Sequence, residues 1–135
     1  MAIYIKHNNN MTPVEIRIDV GSTSDAIRLV QKLLEDKFIK TDDFFLAFLD
    51  YDVTKLPDSD PSSNKHYPLH FIGSNVELYV SGVSAGFGGT GPSGTIKILE
   101  ILGFKYTSEQ EQTITETTFD VSGNRVEKIS MHFDK

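Results

Sequence analysis

The sequence predicts an α+β domain: an antiparallel or mixed sheet of about six strands with two helices. Three observations lead there. Residues 2–20 alternate apolar and polar side chains in two runs, as a sheet with one wet face requires. One segment, roughly 23–38, repeats its apolar residues at helical spacing. The C-terminal segment alternates again on both sides of an "SGN" turn, so hairpins at both ends bracket the helices.

Each element follows in chain order. "AIYIK" (2–6) places Ile3 and Ile5 on one face of a first or edge strand. "NNNMTP" is a connection. "VEIRIDV" (14–20) turns Val14, Ile16, Ile18 and Val20 inward and Glu15, Arg17 and Asp19 outward. "GSTSD" then breaks the pattern, with Ser22 or Ser24 able to cap a helix and Asp25 near its positive end. The helix carries Ile27, Val30, Leu34 and Phe38 on one stripe, widened by Ala26, Leu29 and Leu33. "DFFLAFLDY" (43–51) reads as a buried strand, and the polar, three-proline stretch 52–68 as a long exposed loop. "NVELYVSGV" (75–83) alternates again. After a glycine-rich stretch, "TIKILEILGF" predicts a short buried helix, roughly 94–102, capped by Ser93 or Thr95 and closed by Gly103. In the tail, Thr113, Thr115, Thr117 and Phe119 would share a face of one strand, and Ile129, Met131 and Phe133 a face of its partner.

A length of 135 residues suits a single domain spanning 1–135, and a core of that size buries about two thirds of the unfolded chain's surface without staples. There is no cysteine, so disulfides, thiolate metal sites and cysteine nucleophiles are excluded; this fits a reducing cytoplasm. The start of the chain is too short and polar for a secretory signal. No apolar run approaches the ~20 residues of a membrane helix, so no membrane partner is expected. Net charge is −6, which argues against DNA as a partner while leaving room for a local basic pocket.

The densest anomaly is "GFGGTGPSGT", residues 86–95, with five glycines, one proline and three small hydroxyl residues. Gly86, Gly88 and Gly91 fit G-x-G-x-x-G between a strand and a helix. The wider pattern departs from a dinucleotide fold, because the helix is short and a hairpin follows where a parallel strand with an acidic end is required. The underlying chemistry survives: glycines let a ligand approach backbone N–H groups, and a helix start points N–H groups at an anion. Phe87, flanked by glycines, can stack on a base; equally, it can plug the core at a tight corner. Arg125 and Lys128, on the last strand, would neutralise phosphate if that strand borders the loop; otherwise they balance Glu116 and Glu127 across the hairpin.

His7, His66, His70 and His132 are scattered and read as isolated surface residues. "DYD" (50–52) and "DSD" (58–60) lack the glycine and closing glutamate of a calcium loop. Neither a metal site, nor a cofactor site, nor a nucleophile–base–orienter set is expected.

The loop "GFGGTGPSGT" opening a late helix, in a small chain with N-terminal strands and helix and a basic C-terminal strand, resembles the phage anti-Thoeris sponge proteins of the first described type. The resemblance implies a non-enzymatic cytoplasmic binder that sequesters cyclic ADP-ribose isomers made by bacterial TIR proteins and starves the immune effector they activate. It also implies a homo-oligomer with pockets at subunit boundaries. Carried onto this chain, Phe87 would stack on or line the adenine. Gly88, Gly89, Thr90, Gly91, Pro92, Ser93, Gly94 and Thr95 would meet pyrophosphate or ribose. Arg125, with Lys128, would supply charge, although the family's C-terminal basic pair is not clearly reproduced here. Two other functions compete. An acidic protein-binding inhibitor, such as an immunity or antirestriction module, would use Asp58, Asp60 and Glu109; a small nucleotide-directed enzyme would use His66 or His70.

Overall fold

The sheet is built around one parallel pair, and that pair places the glycine loop. The computed structural model describes residues 2–7 and 13–135; most of the connection expected at 8–13 lies outside the described residues. The six strands are β1 (Ala2–Lys6), β2 (Val14–Asp19), β3 (Leu46–Asp52), β4 (Leu69–Ile72), β5 (Val76–Val80) and β6 (Lys128–Phe133), and the three helices are α1 (Thr23–Glu35), α2 (Thr90–Ile101) and α3 (Ser108–Thr115). Strand order is β1-β2-β5-β4-β3-β6. β2 and β5 run parallel and every other pair is antiparallel, so the sheet is mixed, as expected.

One sheet face supplies the core. Ile16, Ile18, Ala47, Leu49, Leu69, Phe71, Leu78, Val80, Ile129 and Phe133 are buried in one cluster with Ala26, Val30, Ile98, Leu99 and Ile114 from the helices. The alternation predicted for 14–20 therefore holds residue by residue. The opposite face carries Arg17, Tyr79, His70 and Phe48, in register across β2, β5, β4 and β3.

Four expectations are corrected. α1 stops at Glu35 instead of 38, because Lys37 adopts φ 61 and the Phe38 N–H turns back to the Leu33 carbonyl (2.9 Å). Phe38 is consequently 64% exposed and Ile39 is buried in its stead. α2 begins four residues earlier than expected. Gly89, at φ 142, is its N-cap, and Pro92 is accommodated in the first turn, where its missing N–H has no helical partner to lose. Gly103, at φ 81, closes the helix as predicted.

The segment read as a strand over 113–119 begins in a helix. Thr107 and Gln110 form a capping box, each side chain accepting from the other's backbone N–H (both 3.0 Å). Glu109 and Glu111 sit at the positive end. The Thr113 and Thr115 hydroxyls donate to the carbonyls four residues back, at 2.9 and 2.8 Å. The expected C-terminal hairpin is reduced to a Phe119–Arg125 bridge, and β6 pairs instead with β3. Finally β4, "LHFI", forms where no strand was expected, with Leu69 and Phe71 inward.

Candidate functional site

From the end of β5 the chain passes through a fastened corner. The Ser81 hydroxyl accepts the Val20 N–H (2.8 Å) and donates toward the Ile18 or Val20 carbonyl, tying the ends of the parallel strands together. Val83 and Ala85 are buried. Gly86 donates its N–H to the Ile114 carbonyl at 2.8 Å, and a side chain there would run into Val53. Phe87 is half-buried, its ring 6.5 Å from that of Tyr51. Burial raises the Tyr51 pKa, so its phenol is a neutral donor at ordinary pH.

Gly88, Gly89 and Thr90 then emerge into solvent. Among the described residues, no protein acceptor faces the N–H groups of Phe87, Gly88, Gly89, Thr90 or Gly91. The other helices differ. α1 is capped by Ser22 with Asp25 in its first turn, and α3 by Thr107 with Glu109 and Glu111. α2 has no side-chain cap and no acidic residue in its first turn. Its positive end is the one the protein leaves uncompensated.

Arg125 reaches this loop. Its Nη2 donates to the Gly86 carbonyl at 3.4 Å, a long contact that leaves most of an exposed guanidinium unengaged. A tight turn carries it there: the Asp120 carboxylate accepts from the N–H groups of Ser122 (2.9 Å) and Asn124 (3.0 Å), and the Asp120 N–H meets the Asn124 carbonyl. The structure thus brings together Phe87, Gly88, Gly89, Thr90, Gly91 and Arg125, with Ser93 exposed on the next turn.

The remaining predicted residues face elsewhere. Pro92, Gly94 and Thr95 are buried. The Thr95 hydroxyl donates to the Ser84 carbonyl at 2.8 Å. A side chain on Gly94 would overlap the methyl of Thr23, and one on Gly91 the Ser84 hydroxyl. Three of the five glycines, Gly86, Gly91 and Gly94, therefore record helix and loop backbones packed against the protein itself. Lys128 opposes Asp52 across β3 and β6 and lines a groove on the other sheet face with Asp50, Tyr67 and His70. Its neighbour Ile129 points toward the glycine corner. Tyr51 was missed by sequence reading, since its distance from Phe87 depends on which strand lies beneath the loop.

Asp58 and Asp60 sit on the 53–68 loop over the open sheet face, whereas Glu109 lies on α3 at the core face. The acidic candidates therefore do not converge. His66 and His70 are not isolated: His66 Nε2 lies 2.6 Å from the Asp19 carboxylate and His70 packs edge-on against Tyr79. Among the described residues no helix is long and apolar enough to cross a membrane. No protein-family model, curated protein or solved structure matches the chain.

Proposed function

We propose that this protein is a non-enzymatic sponge that sequesters a cyclic ADP-ribose-type signalling nucleotide and thereby blocks TIR-based bacterial anti-phage immunity. One observation carries the reading: the uncapped start of α2, where the N–H groups of Phe87 to Gly91 lack protein acceptors beside the Arg125 guanidinium and the Phe87 ring. Unbonded amides and a helix positive end suit a pyrophosphate. The guanidinium adds a charge-assisted, two-pronged donor, and the aromatic ring offers a π-face to adenine. The resemblance of "GFGGTGPSGT" to the anti-Thoeris sponges supplies the ligand class. The same resemblance puts homo-oligomers, with pockets closed at subunit boundaries, within the proposal.

The division of labour follows from the geometry. Buried Thr95, Gly94 and Pro92 hold the loop rigid, so ordering is completed on folding and not charged against binding. The exposed amides and Arg125 take the charge. Isothermal titration of cyclic ADP-ribose isomers, followed by heating and chromatography of the released ligand, tests the proposal. Recovery of intact nucleotide is expected. Arg125→Ala should weaken binding about 10- to 100-fold, the loss of a hydrogen-bonded charge, and Phe87→Ala by a comparable factor through lost stacking. Failure to bind any isomer removes the reading, and conversion of the ligand replaces it with an enzyme.

A further inference from the structure

The segment from Thr54 to Pro68 lies as a strap across the open face of the sheet, following Val53, which packs under Gly86 of the glycine loop. Its turns are set by its own carboxylates: Asp58 accepts the Asp60 N–H, and Asp60 accepts the N–H and hydroxyl of Ser62. Three contacts anchor it to the sheet. Tyr67 is buried, its ring edge-on to Tyr79 at 6.2 Å and its hydroxyl donating to the Pro61 carbonyl at 2.6 Å. Arg17 on β2 lies over both tyrosine rings, 5.2 Å from Tyr67 and 4.4 Å from Tyr79, and donates to Asn64 Oδ1 at 2.8 Å. The third anchor is His66, whose Nε2 meets the Asp19 carboxylate on β2 while Nδ1 meets the Asp58 carbonyl.

The chemistry of that third anchor is distinctive. Both ring nitrogens face oxygens that can only accept. A neutral imidazole has one N–H and one lone pair, so it can satisfy one of the two and must turn a lone pair on the other. Only the imidazolium donates to both. Tyrosine rings and a guanidinium do not change state near neutrality, and His66 does.

We propose that His66 is a proton-operated latch: protonated, it pins the strap to Asp19 and closes the open sheet face; deprotonated, it releases the strap. The surroundings favour the charged ring. Asp19 from β2 and Asp58 and Asp60 from the strap are anionic neighbours, and the cation facing the strap from β2 is Arg17, held on Asn64. Beyond these lie Tyr4 on β1, Glu77 and Tyr79 on β5, and His70 on β4, the last kept neutral chiefly by burial. At His66 itself burial works against the charge, but the bonds to Asp19 and the Asp58 carbonyl, with the two carboxylates, outweigh it and raise the pKa. A raised folded-state pKa makes the latch fully effective below the ordinary imidazole value and weakens it as pH climbs through the raised one.

Release would uncover a defined surface. Residues in register across all six strands form one row: Tyr4, Arg17, Tyr79, His70, Phe48 and His132. The strap covers its middle, and a groove of about 470 Å³ lies between the strap and β3, β4 and β6. Opening the strap exposes Arg17 and Tyr79 and widens that groove.

Amide hydrogen exchange, corrected for intrinsic rates, tests the latch together with NMR titration of the His66 ring. Across about pH 5 to 9, a range that brackets the ordinary imidazole value, the strap amides of His66 and Tyr67 should lose protection. The opening constant should rise about tenfold per pH unit between the free and latched pKa values. α1 amides serve as the control for global unfolding and should stay protected. His66→Gln and Asp19→Asn should each give a strap that is open at low pH and flat across the range. The inference is overturned if wild-type strap protection is independent of pH, if His66 titrates at or below the ordinary imidazole value, or if both variants keep the wild-type slope.

Discussion

Ser81 shows how much a single side chain holds in this fold. Its hydroxyl is buried, accepts from the Val20 N–H and returns a hydrogen bond to β2. Ser81→Ala would leave the Val20 N–H without an acceptor, at a cost of about 1–3 kcal/mol. The expected result is a lower urea midpoint at unchanged slope; an unchanged midpoint would mean that water reaches the Val20 N–H. Lys37 is a different single-residue case. A left-handed lysine ends α1, and nothing in its identity announces that. The alternation of 14–20, by contrast, was legible one residue at a time, because in a strand each side chain chooses a face by parity alone.

Among the elements, α1 and α2 are joined by a close approach that two residues create. The Thr23 hydroxyl donates to the Gly82 carbonyl at 2.7 Å, and its methyl occupies the space where a Gly94 side chain would stand. Gly94→Ala would improve intrinsic helix propensity by about 1 kcal/mol. It would also force the helices apart, an overpacking cost of about 1–3 kcal/mol. The second effect should win, and chemical denaturation should find the variant destabilised; pairing it with Thr23→Ser, which removes the obstructing methyl, should restore stability. This is the element scale at which sequence reading faltered most. α3 was taken for a strand because threonine favours strands and alternates over 113–119. The stronger local signal was the T-x-x-Q box at 107–110, which saturates the helix start, while back-bonded hydroxyls satisfy the threonines inside. β4 was missed for another reason. Four residues are too few to display a period, and the strand exists because β3 and β5 flank it.

For the whole molecule, the decisive pairing is β6 against β3, which closes the sheet with a strand from the far end of the chain. Phe133 is buried in the common core. Phe133→Ala should cost about 3–5 kcal/mol, a large share of the 5–15 kcal/mol expected for a domain. If β6 belongs to the same cooperative unit as β2 and α1, thermal unfolding should shift as one transition. A separate early transition would divide the single domain expected from length. β3, read as buried, has one open face, with Phe48 exposed on it. Composition and periodicity by themselves determined the class of the fold, the inward residues of β2 and β5, the heart of α1, and the glycine stretch as the place to look for a site. These depend on burial parity and on residue-level stereochemistry, which act within a few neighbours. Only the tertiary structure decided that Arg125 meets the glycine loop while Lys128 faces away, that the side-chain directions of Gly91 and Gly94 are filled by Ser84 and Thr23, and that His66 finds Asp19. Each is a contact between segments distant in sequence, set by strand order and register, and no local pattern carries that information.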